Sequence, residues 1–194
     1  MRYIKFSFFV LILTFSSCRK RGCTDSDALN YSLEASKDDH SCYYFWIGQH
    51  YKGGDIFYID KTKKHGLIAA TFHLNKNLSA GCDGVEFSKI TSTSVGTGLQ
   101  NSQNIVNTCG AGTIAGSCLD LDTLGYNDWY LPSREELKGL SISLGKFGQA
   151  GMNGTYYISS SGDSSKLFWT IYNPEQVSIL MGSGGYFVKP IRSF

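Results

Sequence analysis

The stretch GYNDWYLPSREEL, residues 125–137, decides the fold of this chain. Pro132 blocks a helix that would run in from the N-terminal side. Ser133, followed three residues later by Glu136, gives the S-x-x-E pattern of a capping box. The sequence therefore predicts an α-helix that begins after Ser133. An apolar stripe at helical spacing follows, formed by Leu137, Leu140 and Leu144.

The first turn of this helix is highly charged, with Arg134, Glu135 and Glu136 in succession. Such a group could carry acid–base chemistry. A solvated first turn, with glutamates near the positive end of the helix dipole, has the same composition. We favour the solvated turn, because a chain with only 18% charged residues offers no paired carboxylate cluster.

Downstream of Gly151 the sequence predicts four strands, at 155–160, 167–172, 176–181 and 185–193. Ser, Gly and Asp turns separate them, so a sequential antiparallel order is the economical topology. The last strand contains Pro190, which cannot donate a ladder hydrogen bond. We therefore expect Pro190 at a bulge or an edge.

A β-hairpin is predicted upstream, where a strand that follows the Gly53-Gly54 turn in the stretch 51–60 and a return strand at 67–71 flank the polar loop 61–66. Ile56 and Tyr58 fall on one face of the first strand and its other apolar residues on the opposite face. This strand is expected to be buried on both sides.

Between the hairpin and the central stretch, residues 72–100 have no clean period and predict a loop. The GTG at 96–98 lacks the Lys-Ser/Thr pair of a phosphate-binding loop. Residues 101–122 resume a helical period that glycines interrupt, which predicts two short helices or one broken helix. Asn101 or Ser102 is the expected N-cap.

Composition excludes nucleic acid as a partner. The chain of 194 residues has a formal net charge of +2, and Arg2 and Lys5 account for it, since the remaining 16 basic residues match 16 acidic ones. No basic field is left to hold a polyanion.

Residues 1–17 have the features of a secretory signal, with a basic start and an apolar run too short to span a bilayer. Together with Cys18 they resemble the lipobox of bacterial lipoproteins, although Phe15 stands where an aliphatic residue is usual. The resemblance implies a lipid on Cys18 and a tether at 18–21. An ordinary cleaved signal, with Cys18 unmodified, is the alternative.

Residues 22–43 form a small acidic segment that begins and ends near cysteines. A segment this short and polar needs a covalent staple, so we pair Cys23 with Cys42. Export permits such bonds. Five cysteines remain besides Cys18, an odd number. One of the other three is therefore unpaired or pairs elsewhere, and we favour a bond from Cys82 to one of the helical pair, Cys109 and Cys118.

The acidic segment also carries side-chain oxygens of the kind that Ca²⁺ prefers. The same residue types form turns through hydrogen bonds to the backbone, and both interpretations stay open. The segment resembles a GCTD-x-x-A-x-N-Y…DD-G-S-C repeat of Bacteroidetes-type secreted proteins, which is likened to thrombospondin calcium repeats. His40 replaces its glycine. The candidate ligands are Asp25, Asp27, Asn30, Asp38 and Asp39.

Residues 52–194 resemble the bacterial family DUF1566, a domain of unknown function also found at the C-terminus of a Legionella collagen-like protein. Its ordered landmarks stand at 53–60, 65–70, 96–101, 128–137, 156–160, 168–169 and 188–194. Ile158, Lys189 and Ile191 depart from the family pattern, each by a substitution that is conservative for packing.

The resemblance implies an α+β, C-type lectin-like fold for residues 44–194. Its expected features are a mixed, mostly antiparallel sheet, two short helices, long loops and paired terminal strands. Residues 55–59 would pair with the strand that ends at Phe194. Three aromatic landmarks, Trp129, Tyr156 and Trp169, are expected in the core.

These observations predict a lipoprotein of the bacterial cell envelope, in the outer membrane or at the cell surface, that binds an extracellular glycan or protein without catalysis. A structural envelope protein is the alternative. An enzyme that uses thiols or a metal is disfavoured, because the sequence has no HExxH and no G-x-S-x-G pattern. The expected ligand-binding loop residues are Tyr172, Asn173, Glu175, Gln176, Ser183 and Tyr186.

Overall fold

A computed structural model describes residues 19–148, 152, 155–165, 167–173, 176–180 and 186–194. The chain divides into two compact units, one ending at Tyr43 and one running from Tyr44 to Phe194. The predicted signal and Cys18 lie outside the described residues. Within the described part, no helix is long and apolar enough to cross a bilayer.

The first unit is a small stapled fold. Strand β1 (Arg21–Gly22) pairs in parallel with β2 (Lys37–Asp38). A disulfide joins Cys23 to Cys42, the pair expected from the sequence. Apart from Cys23 and Ala28, which are both 1% exposed, the described residues 19–43 bury little apolar surface, so the covalent link has a large share in holding them together.

The second unit contains strands and helices in mixed order. Its elements are β3 (His50–Tyr51), β4 (Gly54–Ile59), β5 (Gly66–Ala70), β6 (Leu74–Lys76), α1 (Gly98–Cys109), α2 (Ile114–Leu119), α3 (Arg134–Gly145), β7 (Tyr157–Gly162), β8 (Phe168–Asn173), β9 (Gln176–Leu180), β10 (Tyr186–Val188) and β11 (Ile191–Ser193).

Two sheets organise these strands, in the orders β6-β10-β7-β8-β9 and β11-β5-β4-β3. Every neighbouring pair is antiparallel except β10 with β7. The α+β class and the mixed, mostly antiparallel pairing are therefore confirmed. The described residues hold three α-helices, one more than the resemblance implies.

The predicted pairing of residues 55–59 with the last strand is wrong. Strand β11 pairs with β5, and β5 lies between β11 and β4. The reason is the β4–β5 hairpin, in which β4 occupies one edge of β5. The other edge of β5 is then open to pair with β11. The two ends of the unit still meet, because the rings of Phe45, Tyr51 and Phe194 lie with their centroids 4.8 to 5.4 Å apart.

The sequential strand order holds only as far as β9. Strands β7, β8 and β9 form an antiparallel meander, as predicted. Strand β10 instead inserts between β6 and β7, and β11 belongs to the other sheet. Pro190 separates β10 from β11, and its carbonyl accepts a hydrogen bond from the Ala70 N–H at 2.9 Å. The predicted strand 185–193 is thus broken where the chain passes between sheets.

Two local predictions also need correction. A register shift in β4 between Ile56 and Tyr58 leaves Tyr58 39% exposed, so this strand is not buried on both sides. Two helices do cover most of 101–122, but α1 begins earlier, with Thr97 as its N-cap. Asn101 is buried and binds the backbone of Ser92 instead.

Strand β7 separates the core into two clusters, since successive residues point to opposite faces. Tyr157 packs with Leu137 and Leu140 of α3. Ile158 packs with Ile105 of α1 and Ile114 of α2. Helices therefore cover both faces of the sheet at β7.

Candidate functional site

The capping box of α3 is confirmed. Its glutamate, Glu136, also binds the GTG loop at residues 96–98, and we call this set of hydrogen bonds to Glu136 the clamp. Ser133 Oγ accepts a hydrogen bond from the Glu136 N–H at 3.3 Å, and the Ser133 N–H donates to Glu136 Oε2 at 2.7 Å. The Gly96 N–H, 40 positions away in sequence, donates to the other oxygen, Oε1, at 2.8 Å. The Glu136 carboxylate therefore both caps α3 and holds the GTG loop in place.

Glu136 is only 1% exposed, so the prediction of a solvated first turn is wrong for this residue. Burial raises the pKa of its carboxyl, and backbone hydrogen bonds from Ser133, Gly96 and Gly98 act in the opposite direction. A Cβ on Gly98 would overlap Glu136 Oε2 and lie 2.9 Å from the Ser133 nitrogen. The third residue of GTG must therefore be glycine for the loop to approach the carboxylate.

An ion pair joins two of the sequence landmarks, 128–137 and 188–194. Arg192 donates from Nε and Nη2 to the two oxygens of Asp128 at 2.6 and 2.8 Å, and from Nη1 to the Lys52 carbonyl at 3.2 Å. Its guanidinium lies 3.9 Å from the centroid of the Tyr126 ring. These contacts use donors on every side of the guanidinium, which indicates a scaffold role for Arg192.

The aromatic landmarks differ in their surroundings. Trp129 is fully buried, and its ring N–H donates to the Tyr126 carbonyl at 3.2 Å. The expectation that all three aromatic landmarks lie in the core is wrong for the others. Tyr156 is 42% exposed, and Trp169 is partly exposed.

Tyr156, which is exposed, and Tyr172, which is partly exposed, form an aromatic pair, the tyrosine pair, with ring centroids 5.0 Å apart. They are neighbours across strands, because Tyr157 pairs with Ile171 in the β7–β8 ladder. The pair adjoins the end of the β8–β9 hairpin, which the backbone pairing of Asn173 with Gln176 closes. Of the predicted ligand residues, three therefore lie close together at this end of the hairpin: Tyr172, Asn173 and Gln176.

The remaining predicted ligand positions do not join them. Tyr186 is 5% exposed and belongs to the core cluster of α1 and α2, so its predicted place in a binding loop is wrong. Its strand, β10, lies in the middle of the sheet, which is why its ring is covered. Glu175 and Ser183 lie outside the described residues, as do the side chains of Asn173 and Gln176.

The acidic residues of the first unit form turns in the structure. The side chains of Asp25, Asp38 and Asp39 each accept a hydrogen bond from the backbone N–H two residues ahead, at 2.9 to 3.1 Å. The hydrogen bond from Ser41 lowers the pKa of Asp39. Among the described residues, no group of three or more His, Cys, Asp or Glu side chains is arranged to hold a metal ion.

Asn30 has a separate local role. Its side-chain N–H donates to the Ser41 carbonyl at 2.8 Å, and its side-chain oxygen accepts from the Tyr43 N–H at 3.1 Å. These two bonds tie the middle of the unit to its C-terminal end. The geometry is that of the turn interpretation, in which amides and carboxylates satisfy the backbone.

The second unit has its own disulfide, between Cys82 and Cys109. This agrees with the expectation that Cys82 bonds one cysteine of the helical pair. Cys118 is fully buried in the cluster of α1 and α2 and takes part in neither disulfide. An apolar, closed environment does not activate a thiol as a nucleophile.

The sequence did not reveal a cation–π contact between Arg134 and Trp169. The Arg134 guanidinium carbon lies 4.2 Å from the centroid of the Trp169 ring. The two residues are far apart in sequence, and only the packing of α3 on β8 brings them together. An arginine in a helix's first turn and an aromatic strand residue are each too common to signal such a pair.

No protein-family model matches this chain, and no curated protein matches it. The resemblances to DUF1566 and to the GCTD repeat are therefore expectations that rest on the sequence motifs alone.

Proposed function

We propose that this chain is a lipoprotein of the bacterial cell envelope, anchored through Cys18, whose second unit has a C-type lectin-like fold and binds an extracellular glycan or protein without catalysis. The observation that carries the proposal is the tyrosine pair, Tyr156 and Tyr172, beside the β8–β9 hairpin. Exposed aromatic rings present an apolar face with a polar tip, a combination that is enriched at binding surfaces.

The location of the pair supports a binding role. Both rings lie where strands end, on a sheet that α3 and α1 hold in place. Binding residues are commonly carried on loops and strand ends that a rigid scaffold positions. A ligand that covers two adjacent rings gains apolar contact without ordering either ring, because they already pack against each other.

Export is supported by the disulfides. Each unit contains one, Cys23–Cys42 and Cys82–Cys109, and such bonds persist in oxidising compartments. The secretory signal predicted at residues 1–17 directs the chain to such a compartment.

The test is binding of the purified chain to arrays of glycans and of envelope proteins, with and without a calcium chelator. We expect Tyr172→Ala and Tyr156→Ala to weaken binding by about tenfold or more, since truncating an aromatic anchor commonly costs over 1 kcal/mol. Tyr58→Ala is the matched control, because Tyr58 is similarly exposed, at 39%, on β4.

Loss of binding in the Tyr58→Ala variant alone would contradict the proposal. Absence of any array ligand would favour the alternative of a structural envelope protein. A loss of binding on chelation would show that calcium takes part.

A further inference from the structure

The five-stranded sheet of the second unit has an unpaired edge at β9. The strand order β6-β10-β7-β8-β9 places β9 at one end of the sheet. Residues 177–180 keep a regular antiparallel register with β8, and the register shift lies beyond them, between Ile171 and Asn173 of β8. Within the described part of the chain, no strand pairs with the other side of β9. Its outward N–H and C=O groups therefore form a template for another strand.

The other edge strands of this unit are each protected against such pairing. Strand β3 is only two residues long, and β6 is three residues long and ends in Lys76. The outer edge of β11 is occupied, because Tyr130 and Ile191 exchange backbone hydrogen bonds at 2.9 and 3.0 Å. Short strands, an edge lysine and a covering segment are devices by which proteins prevent edge-to-edge pairing.

The length and sequence of β9 give it no comparable protection. The strand runs for five residues, Gln-Val-Ser-Ile-Leu, and contains no charged residue, no proline and no glycine. Two of its residues, Val177 and Ile179, are β-branched and favour extended backbone. The contrast with the other three edges indicates that this edge is retained for pairing with another strand.

The partner that this edge fits best is a second copy of itself. An added peptide would pair one of its sides with β9 and leave its other side open, whereas two β9 strands satisfy each other in one contact. Like charges that face each other destabilise a strand pair, and β9 has none to repel its copy. Without Arg2 and Lys5 the chain has 16 basic and 16 acidic residues, so no net charge keeps two copies apart.

We propose that β9 pairs antiparallel with β9 of a second copy across a two-fold axis, so that the chain forms a homodimer. The contact is isologous, since the same strand is used on both sides. It joins the two five-stranded sheets into one continuous sheet, and a pairing centred on Ser178 aligns all five residues of each strand. The inference does not rest on the proposed function, because neither Tyr156 nor Tyr172 belongs to β9.

The experiment is sedimentation velocity of the full chain over a range of concentrations, in excess detergent so that a lipid on Cys18 does not hold copies together. We expect a monomer–dimer equilibrium for the wild type. Ser178→Lys places two like charges opposite each other at the centre of the pairing, and we expect it to weaken dimerisation by about tenfold or more. Asn75→Lys is the matched control and should dimerise like the wild type, because Asn75 is exposed and is the middle residue of β6, the opposite edge.

A charge swap separates lost pairing from lost folding. Ser178→Glu should be monomeric alone, like Ser178→Lys, and an equimolar mixture of the two should dimerise again because opposite charges then meet. Thermal melting checks that each variant is folded.

Four results would overturn the proposal. A wild type that stays monomeric would leave the edge to another kind of partner. The others are a folded Ser178→Lys variant that dimerises with wild-type affinity, an equal loss of dimer in Asn75→Lys, and a mixture of the two charged variants that stays monomeric.

Discussion

At the scale of single residues, Glu136 joins segments that are distant in sequence. Its carboxylate accepts hydrogen bonds from Ser133 at the helix start and from Gly96 in the loop above it. The capping box could be predicted, because both partners lie within four residues. The burial could not, since nothing local to α3 shows that the GTG loop covers its first turn.

Gly98 provides the test of this close approach. We expect Gly98→Ala to lower the free energy of unfolding by about 1–3 kcal/mol, as overpacking in a filled interior does, because the added Cβ would overlap Glu136 Oε2. Gly139→Ala is the control, since nothing lies within 4 Å of its added Cβ. In the interior of α3 that change should stabilise by about 1 kcal/mol. Urea unfolding measures both, and equal effects would contradict the clamp.

The raised pKa of Glu136 predicts a pH dependence of stability. Burial places the folded pKa above the ordinary value of 4.5, so the folded state holds the proton more tightly than the unfolded state does. The contribution of this group to the free energy of unfolding is therefore fully present below pH 4.5. It is lost as the pH rises through the folded pKa. Relative to Glu136→Gln, which cannot titrate, the wild type should lose stability as the pH increases.

Urea unfolding of both proteins across this pH range measures that difference. Parallel curves, or a wild type that gains on Glu136→Gln as the pH rises, would show that the hydrogen bonds to the carboxylate outweigh its burial.

At the scale of elements, local signals predicted helices and hairpins better than sheet order. Helix α3 and the β4–β5 hairpin follow from capping, turn residues and periodicity. The pairing of β11 with β5 depends on which sheet edge remains open after the hairpin forms, and the sequence does not encode that locally. The contact of Arg134 with Trp169 has the same origin, since it requires α3 to be docked on β8.

Element packing also gives a prediction for the disulfides. Cys82–Cys109 ties the loop before α1 to the end of that helix and closes a loop with a sequence separation of 27. A loop of that size implies a stabilisation of about 3.5 kcal/mol. We expect the double variant Cys82→Ser and Cys109→Ser to fold with a lower melting temperature in calorimetry.

The comparison for that variant is Cys23→Ser with Cys42→Ser, which removes the staple of the first unit. Since residues 19–43 bury little apolar surface, they should lose their structure while the melting temperature of the second unit stays unchanged. If the second unit melted earlier in this variant than in Cys82→Ser with Cys109→Ser, that result would contradict the assignment of Cys82–Cys109 as the disulfide that stabilises the second unit.

At the scale of the whole molecule, the sequence predicts a cellular location more specifically than it predicts a ligand. The α+β class could be predicted from the strand and helix signals. The candidate site could be predicted only in part, because Tyr172 lies near a strand end and is partly exposed, whereas Tyr186 lies in a central strand and is buried. Which of two aromatic residues in a strand-rich region becomes exposed depends on strand order, and that order is long-range.

Anchoring through Cys18 is the prediction for the chain in its cellular setting. In a bacterium that processes lipoproteins, we expect the wild type to incorporate a palmitate analogue and to partition into detergent. Cys18→Ser should abolish both, because the proposed attachment is to that sulfur and the buried methylenes of a lipid supply membrane affinity, at about 0.8 kcal/mol each. The double variant Cys23→Ser and Cys42→Ser, which alters cysteines only in the stapled unit, should keep the label. Label retained in Cys18→Ser would show that the lipid is on another residue, and a wild type without label would favour an ordinary cleaved signal.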